Sequence, residues 1–144
     1  MDRLNIILVL GLLFVAVNGD IWQQCEGNVN PTFSITSLTL QPDPPVIGKS
    51  VVVNAVGTLS EQVTSGNSVF TIQFYIAGAW RNLPTFKNDV CSVVKCPVAQ
   101  GPFSFSTTIP IPFITPRGQY RGQFIVTDQS NRNITCLTFA TQLN

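Results

Sequence analysis

Apolar and polar side chains alternate with a period of two along most of this chain, and this alternation restricts its fold more than any other feature. In Val69 to Ala77, Phe70, Ile72, Phe74 and Ile76 fall on one face and Thr71, Gln73 and Tyr75 on the other. Phe103 to Ile111 repeats the pattern, with Phe103, Phe105, Ile109 and Ile111 set against Ser104, Ser106 and Thr108. Gln119 to Asp128 holds Tyr120, Gly122, Phe124 and Val126 in one phase. Successive side chains of a strand point to opposite faces, so each run reads as a half-buried β-strand. Phe33 to Leu40, Ser50 to Leu59, Trp80 to Phe86 and Ile134 to Thr141 complete a set of about seven runs, cut by turn-forming clusters such as Pro42-Asp43-Pro44-Pro45. Gln129 to Asn133 supplies a polar hairpin turn between the last two. No segment beyond the first twenty or so residues carries an apolar stripe at helical spacing. The expected fold is all-β, an immunoglobulin-like antiparallel sandwich of about seven strands.

The start of the chain follows a different rule. Asp2 and Arg3 precede an uncharged run from Ile6 to Val17, which ends in Val17-Asn18-Gly19. A charged start, an apolar centre and small residues before a cut mark a secretory signal peptide, and the run falls short of the roughly 20 residues that span a bilayer. Residues 1–19 are therefore expected to be a signal peptide and 20–144 a single domain. Export places Cys25, Cys91, Cys96 and Cys136 in an oxidising compartment, where an even count argues for two disulfides. Three pairings are possible; Cys91 and Cys96 are close enough to close a small loop, which leaves Cys25 for Cys136. A four-cysteine zinc site favours two closely spaced pairs, and this chain has one, so no metal is expected. Asn133-Ile134-Thr135 is a glycosylation sequon, whereas Pro31 blocks Asn30-Pro31-Thr32; Asn133 is the expected glycan site.

Composition narrows the function. Charged residues make up 10% of the chain and hydrophobic ones 44%, with eight Lys and Arg against seven Asp and Glu. That balance excludes a disordered tail and a coiled coil, and it builds no basic field for nucleic acid. There is no histidine, which removes the usual general base, metal ligand and near-neutral switch together. Asp20, Glu26, Asp43, Glu61, Asp89 and Asp128 are scattered, and no histidine stands ready to activate a serine or cysteine. Neither a catalytic residue nor a cofactor is expected. Apolar surface is what remains. Most of it must form the sandwich core, yet sheets that part slightly leave a slot that an acyl chain fits. Burying about fourteen methylenes at roughly 0.8 kcal/mol each yields a gross gain near ~11 kcal/mol before the costs of association.

Several stretches together resemble the lipid-recognition (ML) domain family, nearest the phosphatidylglycerol/phosphatidylinositol transfer proteins and more distantly the Niemann–Pick type C sterol carrier. They are Asn88-Asp89-Val90-Cys91, Cys96-Pro97-Val98-Ala99-Gln100-Gly101-Pro102-Phe103, Pro116-Arg117-Gly118-Gln119-Tyr120, and Asp128 through Asn133-Ile134-Thr135-Cys136-Leu137-Thr138-Phe139. Cys25 stands where that family places its first cysteine. The resemblance implies an apolar cavity between the sheets, one lipid bound per monomer, and bridges joining first with last cysteine and the close pair together. Sterol-carrying relatives often have six cysteines; four favour the phospholipid subgroup and leave sterol open.

The expected cavity lining is the inward phase of the central strands: Val53, Phe70, Ile72, Phe74, Phe103, Phe105, Ile109, Phe124 and Val126. Trp80, Phe86 and Phe113, with Pro112, are expected at a rim. Lys87, Lys95, Arg117 and Arg121 are candidates to meet an anionic headgroup or a transient membrane surface, Arg117 first among them. The expected protein is a secreted or endosomal/lysosomal lumenal carrier that moves phospholipid or sterol between membranes. The competing expectation is a secreted immunoglobulin-like module that binds a protein partner through an exposed face. A carrier travels with hydrophobic cargo, and such a module does not.

Overall fold

The computed structural model describes residues 21–27 and 30–144; the expected signal peptide lies outside them. The described elements are β1 (Trp22–Gln24), β2 (Phe33–Gln41), β3 (Ser50–Leu59), β4 (Gly66–Ile76), β5 (Ala79–Asn82), β6 (Phe86–Asp89), the helical turn α1 (Val90–Val93), β7 (Gly101–Pro110), β8 (Gly118–Asp128) and β9 (Asn133–Leu143). They form two antiparallel sheets. The larger runs β1-β9-β8-β4-β5, with β6 also on β4, and the smaller runs β2-β3-β7. The fold is the expected all-β sandwich.

Two departures from the expected strand set have local causes. The run Trp80 to Phe86 divides into β5 and β6, which share one edge of β4: Gln73–Ile76 pair with β5 and Asn67–Phe70 with β6. Pro84 lies between them and has no N–H to give a ladder. The three-residue β1 and the single turn α1 are too short to show a period in the sequence. Asp89 caps α1 by accepting the Cys91 backbone N–H at 2.9 Å, and Val94 N–H closes the turn on the Val90 carbonyl at 2.9 Å. Disulfides join Cys25 to Cys136 and Cys91 to Cys96.

Turn chemistry places the loops at the two ends. Ala77 and Gly78 both adopt positive φ, 54° and 79°, which is the two-residue hairpin turn that matches strand twist. The β2–β3, β4–β5 and β7–β8 connections gather at one end, as the pairings Ser50↔Pro110 and Phe74↔Tyr120 require. The opposite end holds α1, the Cys91–Cys96 bridge and the β8–β9 hairpin. The buried cluster of Phe33, Ala55, Leu59, Val63, Val126 and Ile134 lies towards this second end. The two sheets come into backbone contact where β2 meets β9.

Candidate functional site

Where the sheets separate they enclose a cavity of about 510 Å3. Its walls follow from strand alternation, because every second side chain turns inward. From the smaller sheet come Leu38 and Leu40 of β2, Val51 and Val53 of β3, and Phe103, Phe105 and Ile109 of β7. From the larger sheet come Phe70 and Ile72 of β4, Tyr120, Phe124 and Val126 of β8, and Leu137 and Phe139 of β9. The Phe70 ring is the hub of the larger wall, 5.5 Å from the Phe139 ring and 6.0 Å from the Phe124 ring, both edge-on. Phe33 and Phe103, edge-on at 5.8 Å, stand at the packed end. Among the described residues no large side chain falls below 2% exposure. A solid core buries such side chains completely, whereas these face empty space.

Among the described residues no Asp, Glu, Lys or Arg lines this cavity. Its titratable group is the Tyr120 phenol, which burial pushes above its ordinary 10.0, so it stays neutral. The phenol donates a 2.7 Å hydrogen bond to the Pro116 carbonyl and so pins the β7–β8 loop to its own strand. Gly48 N–H donates to the Ile111 carbonyl at 2.9 Å and ties the β2–β3 loop to the same place. Pro45, Leu83, Ile111, Pro112 and Thr115 line the cavity at this end. Beyond them Phe113 and Ile114 project into solvent, 82% and 77% exposed. Arg117, also exposed, follows on the same loop. The arrangement suits a long apolar ligand entering between the loops.

The structure brings Val53, Phe70, Ile72, Phe103, Phe105, Ile109, Phe124 and Val126 together around the cavity. Four other expected positions fall outside its lining. Phe74 shares the inward phase, but its ring stacks on Tyr120 at 4.7 Å and folds over Gly118 at the end of the sheet. Trp80 lies on the outer face of the larger sheet, opposite Tyr75, with the Arg121 guanidinium 4.2 Å from its ring centre. Phe86 sits on the edge strand β6, 53% exposed and 6.4 Å from the Phe70 ring. Phe113 stands beyond the walls at the tip of its loop. Asn133 is the first residue of β9, half-buried, and its carbonyl accepts the Thr32 N–H at 3.0 Å.

Leu38 and Leu40 were not anticipated. A bulge between Ile35 and Ser37 shifts the register of β2 by one residue, and side chains beyond it change face. The signal is present in the sequence, where the apolar residues themselves change parity from Phe33 and Ile35 to Leu38 and Leu40.

The profile of the ML domain family matches residues 19–143. A Dictyostelium discoideum protein provisionally named a phosphatidylglycerol/phosphatidylinositol transfer protein is 57% identical over 138 residues, covering 96% of this chain and 95% of its own. Among solved structures, a Niemann-Pick type C2 protein from Japanese carpenter ant has a similar fold, with TM-score 0.62, 16% identity, and coverage of 87% of this chain and 100% of that one. Chicken MD-1 complexed with lipid IVa is similar at TM-score 0.58 and 13% identity, with coverage of 84% and 86%.

Proposed function

Because the chain belongs to the ML domain family, we propose that it is a lipid carrier, which holds one phospholipid (of the phosphatidylglycerol or phosphatidylinositol type) or one sterol between its sheets and moves it between membranes. The observation that carries this reading is the uncharged cavity of about 510 Å3 walled by both sheets. Its volume lies inside the range of roughly 300–1,000 Å3 in which proteins take up small ligands. The driving force is removal of hydrocarbon from water, so the site needs no cofactor, metal or catalytic group. A polar headgroup stays at the mouth, where Arg117 offers the nearby positive charge. The relative with 57% identity bears the name of a phospholipid transfer protein, which supports phospholipid over sterol.

Phe113 and Ile114 give the carrier a way to reach its cargo. Large apolar side chains this exposed are costly in water and gain by entering the acyl boundary of a membrane. The mouth then faces the bilayer while Arg117 meets lipid phosphates. One chain encloses the cavity, so a monomer suffices. Two disulfides fit an exported or lumenal protein, since such bridges persist in oxidising compartments.

Native mass spectrometry of the gently isolated protein tests this reading. The expected spectrum shows the chain plus one lipid-sized mass, which organic extraction removes. A bare mass from protein isolated in the presence of membranes overturns it and leaves an exported interaction module.

A further inference from the structure

The outer face of the larger sheet, turned away from the cavity, carries a separate groove of about 700 Å3. Arg121 and Gln123 of β8, Gln73 of β4, Asn82 of β5 and Thr138 of β9 are among its polar lining residues, and Arg121 is the single charged one among the described residues. Three contacts set the guanidinium in place. Arg121 Nε donates to Gln73 Oε1 at 2.7 Å. Gln73 Nε2 in turn donates to Asn82 Oδ1 at 2.8 Å. The guanidinium plane is supported by the Trp80 ring, 4.2 Å from its centre.

This arrangement uses Arg121 at Nε and leaves both Nη groups open. Among the described residues they make no hydrogen bond, and the ion pairs present belong to Arg132. A guanidinium fixed in this way presents a pair of N–H donors matched to two oxygens of a phosphate or carboxylate. Asn82 Nδ2, spared by the same chain of bonds, adds donors beside it. Gln123 Nε2 donates to the Cys25 and Cys136 sulfurs at 3.5 and 3.6 Å, and the Thr138 hydroxyl donates to the Gln23 carbonyl at 3.5 Å, which leaves the Gln123 Oε1 and the Thr138 oxygen to accept from hydroxyl groups. Exposed side-chain hydrogen bonds contribute little to folding, so ordering three long side chains here is poorly explained by stability.

We propose that this groove is a second binding site, for a polyol carrying one phosphate or carboxylate, with the oxyanion on the Arg121 Nη groups. Such a ligand can be a free phosphorylated sugar or the headgroup of a membrane lipid. It is independent of the lipid carried between the sheets.

Titration with glucose 6-phosphate, glucose and inorganic phosphate, followed by NMR of the Arg121 Nε–H and the Asn82 side-chain amide, tests the proposal. A second arm measures cosedimentation with phosphatidylcholine vesicles with and without phosphatidylinositol. Expected is saturable binding of glucose 6-phosphate, stronger than either part alone, or an Arg121-dependent gain on phosphatidylinositol vesicles. The first result assigns a soluble ligand and the second a headgroup. Arg121→Gln should weaken the response about tenfold or more, as loss of a charged hydrogen-bond pair does, and Arg121→Lys should fall between. Should Arg121→Gln misfold, Gln73→Leu keeps the charge but releases the guanidinium, and should weaken binding less. Lipid bound in the cavity should be unchanged in all three. No saturable response in either arm, or a response that Arg121→Gln leaves intact, overturns the proposal.

Discussion

Asp128 shows how one residue closes the end of the sandwich opposite the mouth. Its side chain is wholly enclosed, with 0% exposure, and it accepts from the backbone N–H groups of Ser130 and Arg132 and from Arg132 Nε, each at 2.9 Å. Burial opposes the charge, but the two backbone donors and the Arg132 guanidinium outweigh it and hold the carboxyl below its ordinary 3.8. A carboxylate with a depressed folded value stabilises above the unfolded value and loses that contribution as pH falls through and below 3.8. Thermal melts of the native protein should therefore drop on acidification through this window, and Asp128→Asn should melt lower above it with a shallower acid dependence. Equal acid slopes in both proteins would remove Asp128 from the account. Val53 offers the complementary test in the cavity wall. Filling a solid core with a larger side chain costs about 1–3 kcal/mol, whereas here the space is empty. Val53→Trp is expected to unfold at nearly the native urea midpoint while losing bound lipid; a large destabilisation would mean the wall is already packed.

At the scale of elements, the N-terminal strand depends on its covalent tie. β1 pairs with β9 through Trp22↔Phe139, Gln23↔Thr138 and Gln24↔Leu137, and Cys25 then bonds to Cys136 across 111 positions. Closing a loop of this order is worth about 4–5 kcal/mol by chain entropy, and removal of a native bridge typically costs about 2–5 kcal/mol. Replacing Cys25 and Cys136 together by Ala should lower urea stability by that amount, with the β1 amides losing hydrogen-exchange protection first. Replacing Cys91 and Cys96 should cost less, because the bridged loop is far shorter. The strands differ in how legible they were. β3 matches its expected bounds Ser50–Leu59 because its valines lie between clear breaks. β4 begins three positions earlier than expected, at Gly66, where polar Asn67 and Ser68 hide the alternation. β2 starts at the expected Phe33 and ends one residue later than expected, at Gln41, and a bulge reverses its phase midway.

The two ends of the whole molecule differ in character. One end presents Val46, Ile76, Phe113 and Ile114 to solvent beside the mouth. The other holds Glu61, Arg132 and Asp128 in ion pairs. This polarity separates holding a lipid from meeting a membrane. Each large apolar side chain moved from water into the acyl boundary contributes about 1.5–3 kcal/mol, so losing two weakens association by tenfold or more. Phe113→Ser with Ile114→Ser is expected to slow transfer between vesicles and to reduce vesicle binding to that extent, while the lipid already carried stays in place. Unchanged vesicle binding would shift the docking surface away from this loop.

The amino-acid sequence alone determined the class of fold, the four half-bridges and which side chains of a strand share a face, because alternation and cysteine content can be read locally along the chain. Tertiary structure decided which inward residues meet a void and which meet each other. Phe74 and Phe70 share a strand and a phase, yet one is covered by Tyr120 at the end of the sheet and the other faces the opening. No period of two records how far apart two sheets stand, and that spacing is what leaves the cavity between them. The outer groove has the same origin. The sequence set Trp80 at a cavity rim and Arg121 among the headgroup candidates and gave no reason to join them with Gln73 and Asn82; register across three strands makes the four neighbours.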